Sequence, residues 1–422
     1  MLLLKRLKLN EWTRVALLFI LLVAALLRFD FLVSVHHHNS HDTINYDIMV
    51  RQLLEEGVYG YKSAKPNAQV SPGYPLFMAA VYKLVDYEER DPFPAIRYFQ
   101  LVFSLITIWF VYRIARRLGG EWAGLIAAAG MAVYPPFVWT TGAVLTETIA
   151  AMLLTAYMYW QLIAFERKDR KAALWAGLAL GLTALVRPEF LIMAPAAYLL
   201  YLLWRRKGGQ ALKLLLCTGI GMAVVLSPWL IRNIVTLNKP IVTSTQVNPF
   251  AAGTYPNKNY DDGLVERGGK TQMEVAKERL RVGFTQHTWT FVKWYTIGKL
   301  DYIYNKMFAG SGHKPFYPVI PFRSSFHLLL VYTGLISAIV ILINWRQPAM
   351  LIVFLLIAIS AARLAFVPEY RYNFTAMPQL IILSSLLAAR LLAWLFARLD
   401  KRFLLRSKLS ITRRNRHAQH DV

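Results

Sequence analysis

The chain has 422 residues, 56% of them hydrophobic, and a formal net charge of +24. So large an apolar share, gathered into repeated runs of about 15–25 residues, excludes an ordinary soluble domain and marks bilayer-spanning helices. The excess of Lys and Arg is not a nucleic-acid footprint. It sits in short loops between apolar runs, where positive charge marks the cytoplasmic side and meets anionic lipid. The single Cys217 lies inside an apolar run, which excludes a disulfide framework and a cysteine-based metal site.

In chain order, basic MLLLKRLKLNEWTR precedes an apolar run from Val15 to about Leu32 with no small-residue cleavage site, which reads as a retained anchor. The stretch VSVHHHNSHDTINYDIM (33–49) follows. Consecutive histidines on an extended strand point to opposite faces, so His36, His37 and His38 are poor partners for one ion. No cofactor follows from the residues. A divalent metal stays open, with His41 beside Asp42 as its one candidate ligand. DTINYDIMVRQLLEEG reads as a helix with Ile44, Ile48, Leu53 and Leu54 broadly on one face and Gly57 as its stop. Asp47 lies about 140° round that helix from Asp42, and we place it as a solvated or capping residue. A Pro-rich SPGYP turn leads into LFMAAVYKLV, too short to span and placed at the interface.

Ten spans are expected, at roughly 13–33, 96–114, 121–139, 143–165, 172–186, 190–204, 211–231, 326–344, 348–366 and 375–397. The connections then divide into a basic set, read as cytoplasmic together with both termini, and an outward set dominated by 34–95 and 232–325. A single helix over 172–204 would be about 50 Å long against a hydrocarbon core of about 30 Å. VRPEF supplies the break at Pro188 and leaves Arg187 and Glu189 within membrane depth, which is tolerated beside protein or a water-filled cavity. In the long loop, TQMEVAKERLRVG reads as a helix. TWTFVKWYTIGKLDYIYNKMF (288–308), with aromatics and lysines at helical spacing, reads as a surface-lying amphipathic helix. Residues 1–397 form the membrane domain, and 398–422 a basic cytoplasmic tail without regular structure, held to anionic lipid. No internal repeat is evident.

The unusual polar residues collect on the outward side: Asp42, Asp47, Glu147, Arg187, Glu189, Arg232, Asn233, Glu369 and Arg371. A charge near mid-bilayer costs about 2.5–3.5 kcal/mol on insertion scales. Glu147, entering an apolar run in VLTETIAAM, is the clearest case, although Thr146 also offers it a helix N-terminal setting. The Asn373-Phe374-Thr375 sequon, at the start of the last span, is read as chance.

The order of short motifs resembles the GT-C membrane glycosyltransferases, in the branch of the protein O-mannosyltransferases and the aminoarabinose transferase for lipid A. They are His41-Asp42, Tyr46, Gly57, Pro72-Gly73-Tyr74-Pro75, L-T-E at 145–147, T-x-L-x-R-P-E at 183–189, SPWLIRN at 227–233, KPIVTST at 239–245 and E-Y-R-Y at 369–372. Many members carry a paired acidic D-E where this chain has Asp42-Thr43, which leaves one base candidate. The resemblance implies an all-α GT-C bundle of about ten spans, within nine to thirteen, with interfacial helices in the first and the long later outer loops. It implies a polyprenyl-phosphate sugar donor, a hydroxyl acceptor on lipid, protein or cell-wall glycan, and a bacterial plasma membrane. A carboxylate would take the acceptor proton, a role for Asp42, while cations steady the leaving phosphate, roles for Arg371 and Arg187, with Arg232 third. Glu147 and Glu189 would orient those arginines or hold sugar hydroxyls, Asn233, Tyr46 and Tyr74 would bind substrate, and Tyr370 and Tyr372 would line the cleft. A transporter or lipid-linked glycan flippase, and a glycan polymerase or ligase, stand as alternatives. The first is disfavoured by the lack of a repeat and by charges near one surface rather than at the midplane.

Overall fold

The computed structural model is almost wholly helical and describes residues 2–205 and 208–417. Helix α1 (Leu2–Ser34) leads into a first loop carrying α2 (His41–Glu56) and α3 (Gly73–Val85). Then come α4 (Phe93–Val133), the short α5 (Pro135–Trp139), α6 (Glu147–Arg167), α7 (Arg170–Val186), α8 (Met193–Arg205) and α9 (Gly208–Leu237). The long loop holds α10 (Asn248–Ala252), α11 (Gln272–Gln286), α12 (Thr288–Lys293) and α13 (Lys299–Tyr304). Helices α14 (Arg323–Ile343), α15 (Met350–Arg363) and α16 (Met377–His417) follow. Two-residue strands β1 (His36–His37) and β2 (His313–Lys314) pair antiparallel and clip the first loop to the long one.

Six helices among the described residues are long and apolar enough to cross a membrane. One of them, α4, has 41 residues, about 60 Å if straight and twice a bilayer core. It turns at Gly120, where φ is 84°, a left-handed value that suits glycine, so α4 supplies two spans. With the shorter α7, α8 and α15 the ten expected spans are all present as helices. The break in 172–204 is also where expected. Asp169 caps α7 by accepting from the backbone of Lys171 and Ala172, and Arg187 is extended before Pro188.

Lipid tails are as apolar as leucine, so spans associate through close packing and internal hydrogen bonds. Glycines let α7 and α9 approach that closely. A Cβ on Gly177 would lie 2.1 Å from Thr218 O, and one on Gly221 would lie 2.5 Å from Leu174 O. Thr218 Oγ1 donates to Ala173 O at 3.0 Å across the same seam. At the other side Arg28, fully buried on α1, serves the end of α4. It donates to Ala132 O at 2.9 Å, Met131 O at 3.2 Å and Ser104 Oγ at 2.8 Å. Those are the carbonyls a helix C-terminus leaves without partners.

One expectation needs correction. Backbone 398–417 continues α16 instead of forming an irregular tail, since it lacks Gly and Pro and is rich in Leu, Arg and Lys; residues 418–422 lie outside the described ones. The surface helix expected over 288–308 is present over 288–304, where one wider helical turn, Trp294–Gly298, joins α12 to α13. Helix α2 ends at Gly57 as expected, and it packs on α3 and the chain after Gly57 through Thr43, Met49 and Val50, which leaves Ile44 and Ile48 exposed.

Bulk added at the α7–α9 seam should cost stability. Gly177→Leu and Gly221→Leu are each expected to lower the detergent-solubilised Tm, by the roughly 1–3 kcal/mol typical of overpacking. Gly219→Ala, which meets nothing within 4 Å, should leave it unchanged.

Candidate active site

Four segments meet at one end of the bundle. Ser40 caps α2, accepting from Thr43 N at 3.1 Å, and so sets Asp42 in the first helical turn. Thr43 Oγ1 then donates to Val144 O at 3.1 Å, which pins the start of α2 beside the segment that opens α6 at Glu147. That segment is itself held by Gln100 Nε2, which donates to Thr141 O at 3.0 Å and Ala143 O at 2.8 Å. The third segment is the turn at Arg187–Glu189, and the fourth is a short 3-10 turn at Tyr370–Tyr372.

Their charges alternate along one line. Asp42 Oδ2 lies 2.7 Å from Arg371 Nη1, and Arg371 Nε lies 3.5 Å from Glu147 Oε1. Arg187 Nη1 lies 2.9 Å from the same oxygen, and Arg187 Nε lies 2.8 Å from Glu189 Oε1. Side-chain exposure falls from 38% at Asp42 and 33% at Arg371 to 0% at Glu147, with 8% at Arg187 and 15% at Glu189 beyond it. The line therefore runs from an accessible carboxylate into the protein. Glu147 above all, helped by Asp42 and opposed by burial, raises Arg371's hold on its proton. Thr146 gives α6 no side-chain cap; its hydroxyl donates instead to Glu147 Oε2 at 3.3 Å. The Tyr372 ring lies under Arg187 at 5.4 Å.

Tyrosines wall the accessible end. The Tyr46 ring stands 5.7 Å from Tyr74 and 6.1 Å from Tyr61. Burial first, and then the Asp42 charge, raise the phenols of Tyr46 and Tyr61 above their ordinary range, so both stay protonated donors. Tyr74 donates to Gln100 Oε1 at 3.3 Å.

Of the residues singled out in the sequence, Asp42, Glu147, Arg187, Glu189, Arg371 and Tyr372 come together, with Tyr46 and Tyr74 close by. Arg232 and Asn233 sit elsewhere. Arg232 donates to Asn67 O at 3.1 Å and Tyr59 O at 3.2 Å, and Asn233 Nδ2 to Ile241 O at 2.8 Å. Arg232 thus holds the chain around 59–67 that carries Tyr61, and Asn233 holds the chain after α9. Tyr370 stacks on Tyr302 at 4.7 Å instead of facing Arg187. Asp47 accepts from Tyr82 Oη at 2.6 Å and Arg51 Nε at 3.1 Å, which ties α2 to α3 and departs from the solvated or capping role expected. His41 is exposed, and among the described residues no group of three His, Cys, Asp or Glu is placed to hold a metal ion. Asn373 is fully buried and its Nδ2 is spent on Ile303 O and Lys306 O, at 2.9 and 2.6 Å, which fits the chance reading of the sequon.

The sequence reading missed Arg363 and Tyr61. Arg363 is buried at the end of α15 and donates to Tyr372 O and Thr375 Oγ1, both at 2.6 Å, fixing the turn that presents Arg371. An arginine closing an apolar helix was the available signal. Tyr61 carried none, because its place beside Asp42 depends on the fold of its loop.

The chain is a polytopic helical bundle with this charged line at one end, and its likeness to solved structures is one of the GT-C fold. The oligosaccharyltransferase of Archaeoglobus fulgidus, solved with Zn and sulfate, overlaps with a TM-score of 0.56 at 14% identity over 92% of this chain and 51% of that one. The same enzyme tethered to an acceptor peptide gives 0.55 at 15% identity over 88% and 49%. The chain thus spans about half the length of that protein, and at this identity the likeness is one of fold. ArnT from Cupriavidus metallidurans, bound to undecaprenyl phosphate, overlaps with a TM-score of 0.45 at 14% identity, over 90% of this chain and 78% of that one. Residues 67–231 match the family described as dolichyl-phosphate-mannose-protein mannosyltransferase, which bears out the resemblance drawn from the motifs. No curated protein matches the chain in sequence.

Removing one partner of a buried ion pair typically costs about 3–5 kcal/mol. Glu147→Leu, which takes one of two carboxylates from each of Arg187 and Arg371, should lower Tm, and Glu147→Leu/Arg187→Leu should lose less than the sum of the two single variants. A thermal-unfolding double-mutant cycle in detergent measures the coupling. Strictly additive losses would show that the pair does not act as one.

Proposed function

We propose that the chain transfers a sugar from a polyprenyl-phosphate donor to an acceptor hydroxyl, with inversion, and that Asp42 is the general base. The observation that carries this reading is the 2.7 Å contact between Asp42 and Arg371, which puts an accessible carboxylate and a cation suited to phosphate in one place. The family matched over 67–231 is described by a dolichyl-phosphate sugar, and this supports a lipid-phosphate donor.

In the reaction the donor phosphate takes Asp42's place on Arg371, whose planar guanidinium can hold two oxygens at once. The acceptor oxygen attacks the anomeric carbon on the face opposite the phosphate. The new carbon–oxygen bond forms as the bond to phosphate breaks, and the hydroxyl proton passes to Asp42. Arg371 neutralises the charge that develops on the leaving polyprenyl phosphate, while Glu147, paired with Arg187, which Glu189 holds in turn, keeps Arg371 in place. Tyr46 and Tyr61 offer hydroxyl donors and ring faces to the sugar.

A groove of about 680 Å³ with almost wholly apolar walls lies between α13, α14 and α15 and suits the prenyl tail. One wall is α13, whose Tyr302 stacks on Tyr370, the neighbour of Arg371, so the groove lies next to the turn that would hold the phosphate. The ion-pair end of α6 is Glu147 and its other end is Arg167, in a basic connection. Positive charge marks the cytoplasmic side, so the site lies at the outer face of a bacterial plasma membrane, with both termini inside. The acceptor is a lipid, a protein or a cell-wall glycan of that face, and anionic lipids hold the basic side.

The test is transfer by the full chain in liposomes, with a polyprenyl-phosphate sugar as donor. Asp42→Asn should lose about 10²- to 10⁴-fold in kcat, the range of general base catalysis, while still binding donor. Arg371→Lys should also lose activity, chiefly through weaker donor binding. Product NMR should show the opposite anomeric configuration to the donor. Turnover by Asp42→Asn at the wild-type rate would remove Asp42 as base.

A further inference from the structure

Helix α13 touches both the apolar groove and the turn that presents Arg371. On one side Leu300 and Tyr304, four residues apart, line the groove together with Ile297. Tyr302 lies between them in sequence and about 200° round the helix from Leu300. Its ring stacks on Tyr370 at 4.7 Å with an interplanar angle of 1°. Lys258 reinforces the stack, lying 4.5 Å from the Tyr302 ring and 2.5 Å from Glu369 Oε1.

The helix is also bound at both ends to the groove's other walls. Lys299 Nζ donates to Leu364 O, after α15, at 2.6 Å. The hydroxyls of Tyr304 and Ser360 on α15 are 2.7 Å apart, and His327 Nε2 on α14 donates to Tyr304 O at 2.9 Å. Asn373, two residues past Arg371, takes the carbonyls of Ile303 and Lys306. These contacts join α13 both to the groove's walls and to the segment Glu369–Asn373 on either side of Arg371.

We propose that α13 couples the groove to Arg371, with Tyr302 as a positioning residue, so that sugar transfer is fast only while the groove holds the donor's prenyl tail. This rests on the donor reading given above. Arg371 must leave Asp42 for the phosphate, and a filled groove holds its turn where that exchange completes. Binding energy from the unreactive tail is then spent at the reacting centre and shows in kcat as well as KM.

The experiment compares two donors, the same sugar phosphate on a long polyprenyl tail and on a short water-soluble one, with the full chain in detergent. In the wild type the short tail should lower kcat by about tenfold to 10²-fold, the size of effect a misplaced catalytic group has. Tyr302→Ala should bring long-tail kcat down to the short-tail value, so that the ratio approaches one. Tyr302→Phe, which keeps the stack, should retain the wild-type ratio. If shortening the tail raises KM alone in the wild type, the coupling is absent, and that comparison needs no variant. A folded Tyr302→Ala that keeps the wild-type ratio would also overturn it. A wild type that transfers from neither donor overturns the donor reading itself, an outcome separate from either.

Discussion

The fully buried carboxylate of Glu147 is the constraint from which the rest of this end of the molecule follows. A lone ionised carboxylate at the head of a membrane helix would be expensive, and here it is divided between Arg187 and Arg371. Each arginine imposes a demand on its own segment. Arg187 reaches Glu147 only because α7 stops at Val186 and the chain runs extended into Pro188. Arg371 reaches it only because the chain between α15 and α16 folds back as a tight turn, fixed from behind by Arg363. One buried charge therefore draws together parts of the sequence more than two hundred residues apart.

The two large loops complete what that charge begins. The first brings Asp42 to the open end of the line, with Tyr61 folded over by contacts from Arg232. The long loop takes the opposite side, where Tyr302, Lys258 and the carbonyls at the end of α13 grip the turn on either side of Arg371. The clip between β1 and β2 joins the loops to each other. Neither loop supplies the ion-pair core, yet both decide how its exposed end is presented.

Much of this was legible in the sequence, and the reason is energetic. Charges placed against apolar runs are costly enough that each announces a partner, so Glu147, Arg187, Glu189 and Arg371 stood out, and the ten helices followed from hydropathy. The same rule misled at Arg232 and Asn233, because it says that a partner exists and not which one. Their partners are backbone carbonyls of a loop. Roles set by long-range packing left no local mark: Tyr61 beside Asp42, Tyr302 against Tyr370, the exposed side of α2. The basic end of α16 shows the reverse, a stretch whose composition suggested an unstructured tail and whose helix formers prevail.

Charge balance explains why one pair at this site can do two jobs. Asp42, Glu147 and Glu189 pair with Arg187 and Arg371, and the charge of Arg363 acts on Glu189 from behind, so three carboxylates are balanced by three arginines. Glu147 and Glu189 cannot leave their arginines without stranding a charge inside the protein. Asp42 can, because it alone of the three lies at the wet end of the line. On the proposed reading, an arriving phosphate replaces the one carboxylate that water can receive. It frees that carboxylate from its contact with Arg371 at the moment a base is needed. The pairing seen at rest then holds Asp42 in reserve, and donor binding is what makes it reactive.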